Sequence, residues 1–333
     1  MRLDLDRLPV TVRILGFEEI PAALLSQVAS LNWSDNDPPF DLRAFRKARA
    51  LGHPYAPYFG LLAVENGQVL SQVVVERPRL TTGTGTEAFS GIAGVVTRPD
   101  AQGRGLCSRL LEEVHRRERA QGLRWAFLWT RRSWRAHRIY ERLGYRDVYS
   151  PPTALREVRR ASNPRLRPGY SIRTATLRDA GALESILEES TRGRLGFVPR
   201  SARSFRARFS LGLSAPKDYH LLLHRSRPVG YFHASQSPFS VAAYEVAVRA
   251  DDHLPAVLDG MQRYAAGRWL AVGYTTFVND AAPLLRERGF TICPSSHAIL
   301  MARNLGTTRS GRSPSFRELF SDPRFSCHRG DMF

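Results

Sequence analysis

At 333 residues, with 43% hydrophobic and 24% charged residues, the chain has the composition of a globular protein with room for two domains that each bury a core. Its formal net charge of +18 is almost wholly arginine, since Lys47 and Lys217 are its lysines. The arginines are spread along the chain, with concentrations at 116–119, 131–138, 156–167 and in the tail, so nucleic acid is not the expected main partner and stands only as an alternative. No stretch approaches the roughly twenty apolar residues of a membrane span and the N-terminus lacks a signal-peptide core, so no membrane partner and a cytoplasmic location are expected. Cys107, Cys293 and Cys327 are scattered without ligand or redox spacing, and the nine histidines form no paired motif; reduced thiols and no metal are expected.

In chain order, Pro9 to Leu15 alternates as a strand, and Glu18 to Ala29 carries Ile20, Leu24, Leu25 and Val28 at helical spacing. Asn32 to Pro39 is turn-rich, and Asp41 to Ala50 predicts a second helix. Tyr58 to Val64 and Val69 to Glu76 are strands joined by an Asn-Gly hairpin turn at Asn66-Gly67. The Thr81 to Thr86 run, with two glycines and no helix after it, reads as a hairpin tip.

The stretch from Phe89 to Tyr149 carries the functional signal. Gly91 to Thr97 is a short β-branched run, and Arg98-Pro99-Asp100-Ala101 breaks it. Gln102-Gly103-Arg104-Gly105-Leu106-Cys107-Ser108 then enters a helix with Leu106, Leu110, Leu111 and Val114 on one face. Strand, glycine loop and helix start make an anion cradle, because the first helical amides have no partner within the helix and glycine lets a phosphate approach the main chain.

This segment resembles the acetyl-CoA motif of the GNAT superfamily of N-acetyltransferases, V-x-x-x-P-x-x-[QR]-G-x-G-x-[GA], through Val95 or Val96, Pro99, Gln102, Gly103 and Gly105, with Cys107 where Gly or Ala is usual. After a strand at Trp125 to Thr130, Ser133 to Tyr145 is similar to the family's N-x-x-A-x-x-L-Y-x-x-L-G-F, with Ser133 for Asn and Tyr145 for Phe. The resemblance implies that Val95, Val96 and Thr97 present main-chain groups to acetyl-CoA, the acyl donor. It implies too that Gln102, Gly103, Arg104, Gly105, Leu106, Cys107 and Ser108 cradle the pyrophosphate, with Ser133 and Arg138 beside it. Tyr140 falls at the general acid's place, a phenol of pKa ~10 suited to protonating a thiolate. Glu87, just ahead of the acetyl-CoA strand, is the first candidate for the general base, followed by Glu76 and Asp35, and a water chain is the alternative. Asp35 and Asp37 also fall where the family's acceptor cleft is lined, or in a solvated loop.

The second half reads as the same unit written again. Residues 151–169, rich in Pro and Arg, are expected to be a linker. A strand at Tyr170 to Thr174, a helix at Leu177 to Ser190, strands at Tyr219 to His224, Val229 to Ala234 and Ala243 to Arg249, a helix through Leu254 to Tyr264, a strand at Trp269 to Val278 and a segment from Asn279 to Phe290 repeat the first order. Where the first unit has Gln102 to Gly105 the second has Ala250-Asp251-Asp252-His253, and Leu285 holds the place of Tyr140, so no cofactor loop is expected there. The expected fold is mixed α/β with two GNAT-like domains, each a mostly antiparallel sheet flanked by helices: a catalytic domain at 1–150, a degenerate one at 170–305 and a flexible basic tail at 306–333, in which Phe316 to Phe320 reads as a short docking helix.

The activity this implies is acetyl transfer from acetyl-CoA to a primary amine of a small molecule or peptide, by direct attack in a ternary complex. The alternatives are a non-catalytic acetyl-CoA-binding or regulatory protein and a nucleic-acid-associated one. A monomer and a homodimer are both compatible with a duplicated chain.

Overall fold

The computed structural model describes residues 12–33, 42–51, 53, 57–160, 165–273, 277–294, 298–306 and 315–325. Asp35, Asp37, Cys327 and most of the tail lie outside them. The first half contributes β1 (Arg13–Gly16), β2 (Pro57–Glu65), β3 (Gln68–Glu76), β4 (Arg79–Thr82), β5 (Gly85–Ala88), β6 (Ser90–Thr97), β7 (Trp125–Arg131), β8 (Arg146–Tyr149) and β9 (Thr153–Val158). The second contributes β10 (Tyr170–Thr174), β11 (Tyr219–His224), β12 (Arg227–Gln236), β13 (Ser240–Val248), β14 (Arg268–Gly273), β15 (Thr291–Cys293) and β16 (Ala298–Asn304).

Two seven-stranded sheets result. The first runs β1-β2-β3-β6-β7-β16-β8 and the second β10-β11-β12-β13-β14-β9-β15. Pairing is antiparallel except β6 with β7 and β13 with β14. The expected fold class is therefore the one observed.

Both faces of the first sheet are covered, so its central strands lack polar alternation: every residue of β3 after Gln68 is buried. Helices α1 (Leu25–Trp33) and α2 (Leu42–Leu51) precede the sheet's core strands, and α1 places Val28 and Leu31 on Leu62, Val69, Val74 and Val96. Helix α3 (Leu106–Ala120) lays Leu106, Leu110, Leu111 and Val114 on Leu61, Val73, Val75 and Ile92 of the other face, and α4 (Arg135–Arg142) adds Tyr140. The second sheet repeats this with α5 (Ala180–Ser190) and α6 (Ala202–Ser210) on one face and α7 (Leu254–Tyr264) on the other.

The chain does not divide where the sequence suggests. Residues 151–169 are not simply a linker: Thr153–Val158 is β9, hydrogen-bonded in the second sheet between β14 and β15. Conversely β16 enters the first sheet between β7 and β8. Each sheet is completed by a strand from the other half. The signal was hidden because β9 buries only Ala154 and Val158 among arginines and prolines, and its partners lie more than a hundred residues away in sequence.

One further departure follows the same logic of tertiary contact. The segment expected as one strand from Trp269 to Val278 is β14 up to Gly273, then the short helix α8 (Phe277–Asp280), with α9 (Ala282–Glu287) after it. Within the tail, the short docking helix expected at Phe316 to Phe320 is α10 (Phe316–Ser321), and Leu319 and Phe325 are buried against Trp125, Phe127 and Leu300. Ser315 caps it, its hydroxyl accepting from Glu318 N at 3.3 Å while Glu318 accepts from Ser315 N at 2.6 Å.

Candidate active site

Strands β6 and β7 run parallel but pair over only three positions, Ser90 with Ala126, Gly91 with Phe127 and Ile92 with Leu128. Beyond Ile92 they separate into a V-shaped opening. On its other side β6 bulges against β3: Ala93 pairs with Val74 and Val96 with Gln72, so Gly94 and Val95 together stand opposite Val73. Main-chain groups of the bulge are thereby released from the ladder at the point where β7 has also left it.

The bulge is held in place. Gly94 has φ +50°, and a Cβ there would stand 3.0 Å from Val74 Cγ2. Gln72 Nε2 donates to Gly94 O at 3.1 Å and to Asn32 Oδ1 at 2.5 Å, and Asn32 Nδ2 returns a bond to Val28 O at 2.9 Å. Buried Gln72 and Asn32 thus tie the opening to α1. Their role was not read from the sequence, where both look like ordinary polar residues.

The cradle stands below. Gly103 and Gly105 have φ of +81° and +74°, and neither has an atom within 4 Å of where a Cβ would lie. Gly105 is the N-cap of α3 and supplies no side-chain cap, so the first amides of the helix remain for an anion. A cavity of about 540 Å³ joins these parts, lined by Val95, Thr97, Gly103, Gly105, Cys107 and Ser108 on one side and by Arg135, Ile139, Tyr140, Arg142 and Leu143 on the other. Gln102 and Leu106 also line it. The residues fit a diphosphate-bearing acyl donor: an uncapped helix start, open glycines and two arginines.

Cys107 is accommodated. Burial pushes its thiol up to about 11, so it stays neutral beside the cradle. Tyr140 reaches the cavity from α4 with 6% of its surface exposed, its ring edge-on to Tyr145 at 6.0 Å. The helix presents it because Ala136, Ile139, Tyr140 and Leu143 recur at i, i+3, i+4 and i+7.

Other expected residues stand elsewhere. The side chain of Val96 packs in the α1 cluster on the far face. Arg104 turns away to Glu65, with contacts of 2.6 and 3.0 Å, leaving only its main chain near the cradle. Ser133 and Arg138 are exposed and do not line the cavity; Arg135 and Arg142 of the same helix do. Glu87 is a correction: it sits on β5, buried in the β4–β5 hairpin, ion-paired to Arg124 at 3.4 Å, and outside the cavity. Its strand neighbourhood in sequence was misleading because the turn before Ser90 puts it in a different sheet.

In the second half, β13 and β14 also pair over only four positions, but its helix start carries Asp251 and Asp252, and Leu285 is fully buried. Among the described residues no group of three or more His, Cys, Asp or Glu could hold a metal ion, and no helix is long and apolar enough to cross a membrane.

Residues 33–148 match the family described as "Acetyltransferase (GNAT) domain". No curated protein matches the chain. Among solved structures, the chain is similar to a GCN5-related N-acetyltransferase from Kribbella flavida, with TM-score 0.62 at 19% identity over 89% of this chain and 71% of that one. A probable N-acyltransferase of Enterococcus faecalis gives 0.66 at 16% identity over 89% and 73%. A tandem GNAT protein from the clavulanic acid biosynthesis pathway gives 0.54 at 12% identity, covering 90% of this chain and all of the other. Residues 33–148 match a GNAT acetyltransferase domain, and over 90% of its length the chain shares the fold of the tandem GNAT protein.

Proposed function

We propose that the first domain transfers an acetyl group from acetyl-CoA to a primary amine of a small molecule or peptide, by direct attack while both are bound. The observation that carries this reading is the convergence of the open V at Gly94 and Val95, the uncapped start of α3 and Tyr140 on one cavity. Acetyl-CoA supplies the activated acyl carbon as a thioester. Main chain at Val95 and Thr97 would hold its pantetheine arm, and amides from Gly103 to Ser108, with Arg135 and Arg142, would hold its phosphates. Tyr140 would give the proton that the departing thiolate needs.

The test is acetyl transfer from acetyl-CoA to a panel of primary amines, with Tyr140→Phe as the comparison. The reading expects turnover by the wild type and a loss of about 10²-fold or more in kcat for the variant. Equal turnover by both would remove Tyr140 from the reaction, and no turnover with any amine would overturn the catalytic reading.

A further inference from the structure

A buried hydroxyl stands behind Tyr140. Tyr145 immediately precedes β8; its main-chain N donates to Tyr140 O at 3.0 Å, and its ring is edge-on to the Tyr140 ring at 6.0 Å. It is 2% exposed, in the apolar cluster of Leu110, Leu111 and Val114, where a phenylalanine would fill the same space. A hydroxyl buried there needs a partner, and His115 of α3 supplies it, with Nε2 2.7 Å from the Tyr145 oxygen. His115 is itself 2% exposed and has a second ring nitrogen to satisfy. Arg303 of β16 satisfies it, with Nη1 2.8 Å from Nδ1. Three polar side chains are thus buried or half-buried in succession to serve one hydroxyl that packing does not require. Such a chain costs desolvation at every member and specifies orientation in return.

Chemistry fixes the direction of the chain. A guanidinium only donates, so His115 Nδ1 is the acceptor. Burial, with Arg303 and Arg119 alongside, pushes the imidazole pKa down to about 3, so the ring is neutral and its one proton sits on Nε2. Nε2–H therefore donates to the Tyr145 oxygen, and Tyr145 keeps its own proton, burial holding the phenol above its ordinary value. The order runs from Arg303 to His115 to Tyr145 and ends on the ring that backs Tyr140. Its first member comes from the second half of the chain: β16 lies beside β7 in the first sheet, with Arg303 opposite Ala126.

We propose that Arg303 is a positioning residue for Tyr140: it fixes His115 as the Nε2–H tautomer, and that imidazole anchors the Tyr145 ring against which the proton donor rests. This rests on the function proposed above. The second half then serves the reaction through one side chain of the strand it lends. Tyr140 has to hold its hydroxyl within hydrogen-bond distance of the departing thiolate, and a backing ring free to tilt loses that geometry. A displacement of about 1 Å at a reacting group is worth up to about 10²-fold in rate.

The experiment compares wild type, Arg303→Met, Arg303→Lys and Tyr145→Phe in two ways. Nitrogen NMR of the imidazole rings, with His115 assigned by its loss in His115→Gln, reads the tautomer without reference to activity. Turnover with the best primary amine of the panel gives kcat and the KM for acetyl-CoA. The proposal expects Nε2–H at His115 in the wild type. In Arg303→Met it expects a mixture of tautomers and a kcat about tenfold lower or less, with KM unchanged; Arg303→Lys, whose ammonium still donates to Nδ1, recovers part of both. Tyr145→Phe keeps the ring and removes its tether, so it should lose kcat in the same way, and it carries the test where Arg303→Met does not fold. A wild type protonated at Nδ1, a kcat within about threefold of wild type in Arg303→Met or Tyr145→Phe, or a loss that Arg303→Lys leaves unrecovered, overturns this inference and leaves the proposed function standing; no wild-type turnover overturns both.

Discussion

The side-chain amide of Gln72 donates to the main-chain oxygen of Gly94 at 3.1 Å, and through this one bond the position of α1 is written into the opening of the sheet. The bulge needs an outside partner because its own ladder bonds to β3 are interrupted. Replacing Gln72 by Leu leaves Gly94 O and the Asn32 amide without it, at a cost of about 1–3 kcal/mol. Urea unfolding should report that loss, and kcat/KM should fall with it; unchanged stability and activity would show that the bulge holds itself.

Gly94→Ala tests the same geometry from the backbone. A left-handed residue with a Cβ pressed on Val74 costs about 1–2 kcal/mol, and relief by flattening the bulge would close the V. The expected result is a larger rise in the Kd for acetyl-CoA than in Gly67→Ala, a turn glycine of similar φ with open space around it.

The buried carboxyl of Glu76 gives a pH signature independent of activity. Burial raises its pKa well above 4.5, so above pH ~4.5 the unfolded chain has lost a proton that the folded chain retains. Stability contributed by the neutral acid is therefore full below that pH and falls as pH rises toward the folded pKa. Glu76→Gln removes the titration, so its Tm should exceed that of wild type at pH 7 to 8, the gap closing toward pH 4. A wild type that is the more stable at pH 8 would mean that the carboxylate has a partner in the fold.

Glu87, the sequence's first choice for a base, should behave as a structural residue. Glu87→Gln is expected to keep kcat within about twofold while losing about 1–3 kcal/mol of stability through Arg124. A large kcat loss without a stability loss would place it back in the reaction.

The exchange of strands makes a prediction about the isolated first half. Residues 1–150 lack β16 and α10, which cover one edge of β7 and the Trp125–Phe127 surface. They also lack Arg303, which donates to His115 Nδ1 at 2.8 Å; His115 Nε2 then meets Tyr145 OH at 2.7 Å. Expressed alone, this fragment should aggregate or show no cooperative thermal transition, whereas a chain through residue 325 should unfold cooperatively. A stable, monomeric 1–150 fragment would contradict this reading of the sheet.

Local signals and long-range ones were unequally legible. The amphipathic stripe of α3, the Asn66-Gly67 hairpin, the glycines before Leu106 and the helical spacing that aims Tyr140 are properties of a few neighbouring residues, and the sequence carries them openly. Strand β9 and strand β16 exist because of partners on the other half of the chain, so nothing within Thr153–Val158 distinguishes it from a linker. The cradle was legible for the same reason as α3, since main-chain amides and glycines do that work. The side chains were less so: Arg104 and Arg138 are near in sequence but turned outward, and Arg135 and Arg142 line the cavity because helical phase, not proximity to the motif, decides which arginine faces in. Glu76 and Glu87 were both visible as acids near the acetyl-CoA strand. Only the sheet register separates the one beside Gly91 from the one held by Arg124.

The most direct test of the account is calorimetric titration of acetyl-CoA into wild type, Gly105→Ala and Gly105→Glu. Both substitutions impose the same left-handed strain at Gly105, so their difference reports the carboxylate beside the uncapped start of α3. One site per chain, weakened in Gly105→Ala and abolished in Gly105→Glu, is the predicted result. Binding that Gly105→Glu leaves intact, or two sites per chain, would contradict the placement of the acyl donor in the first domain.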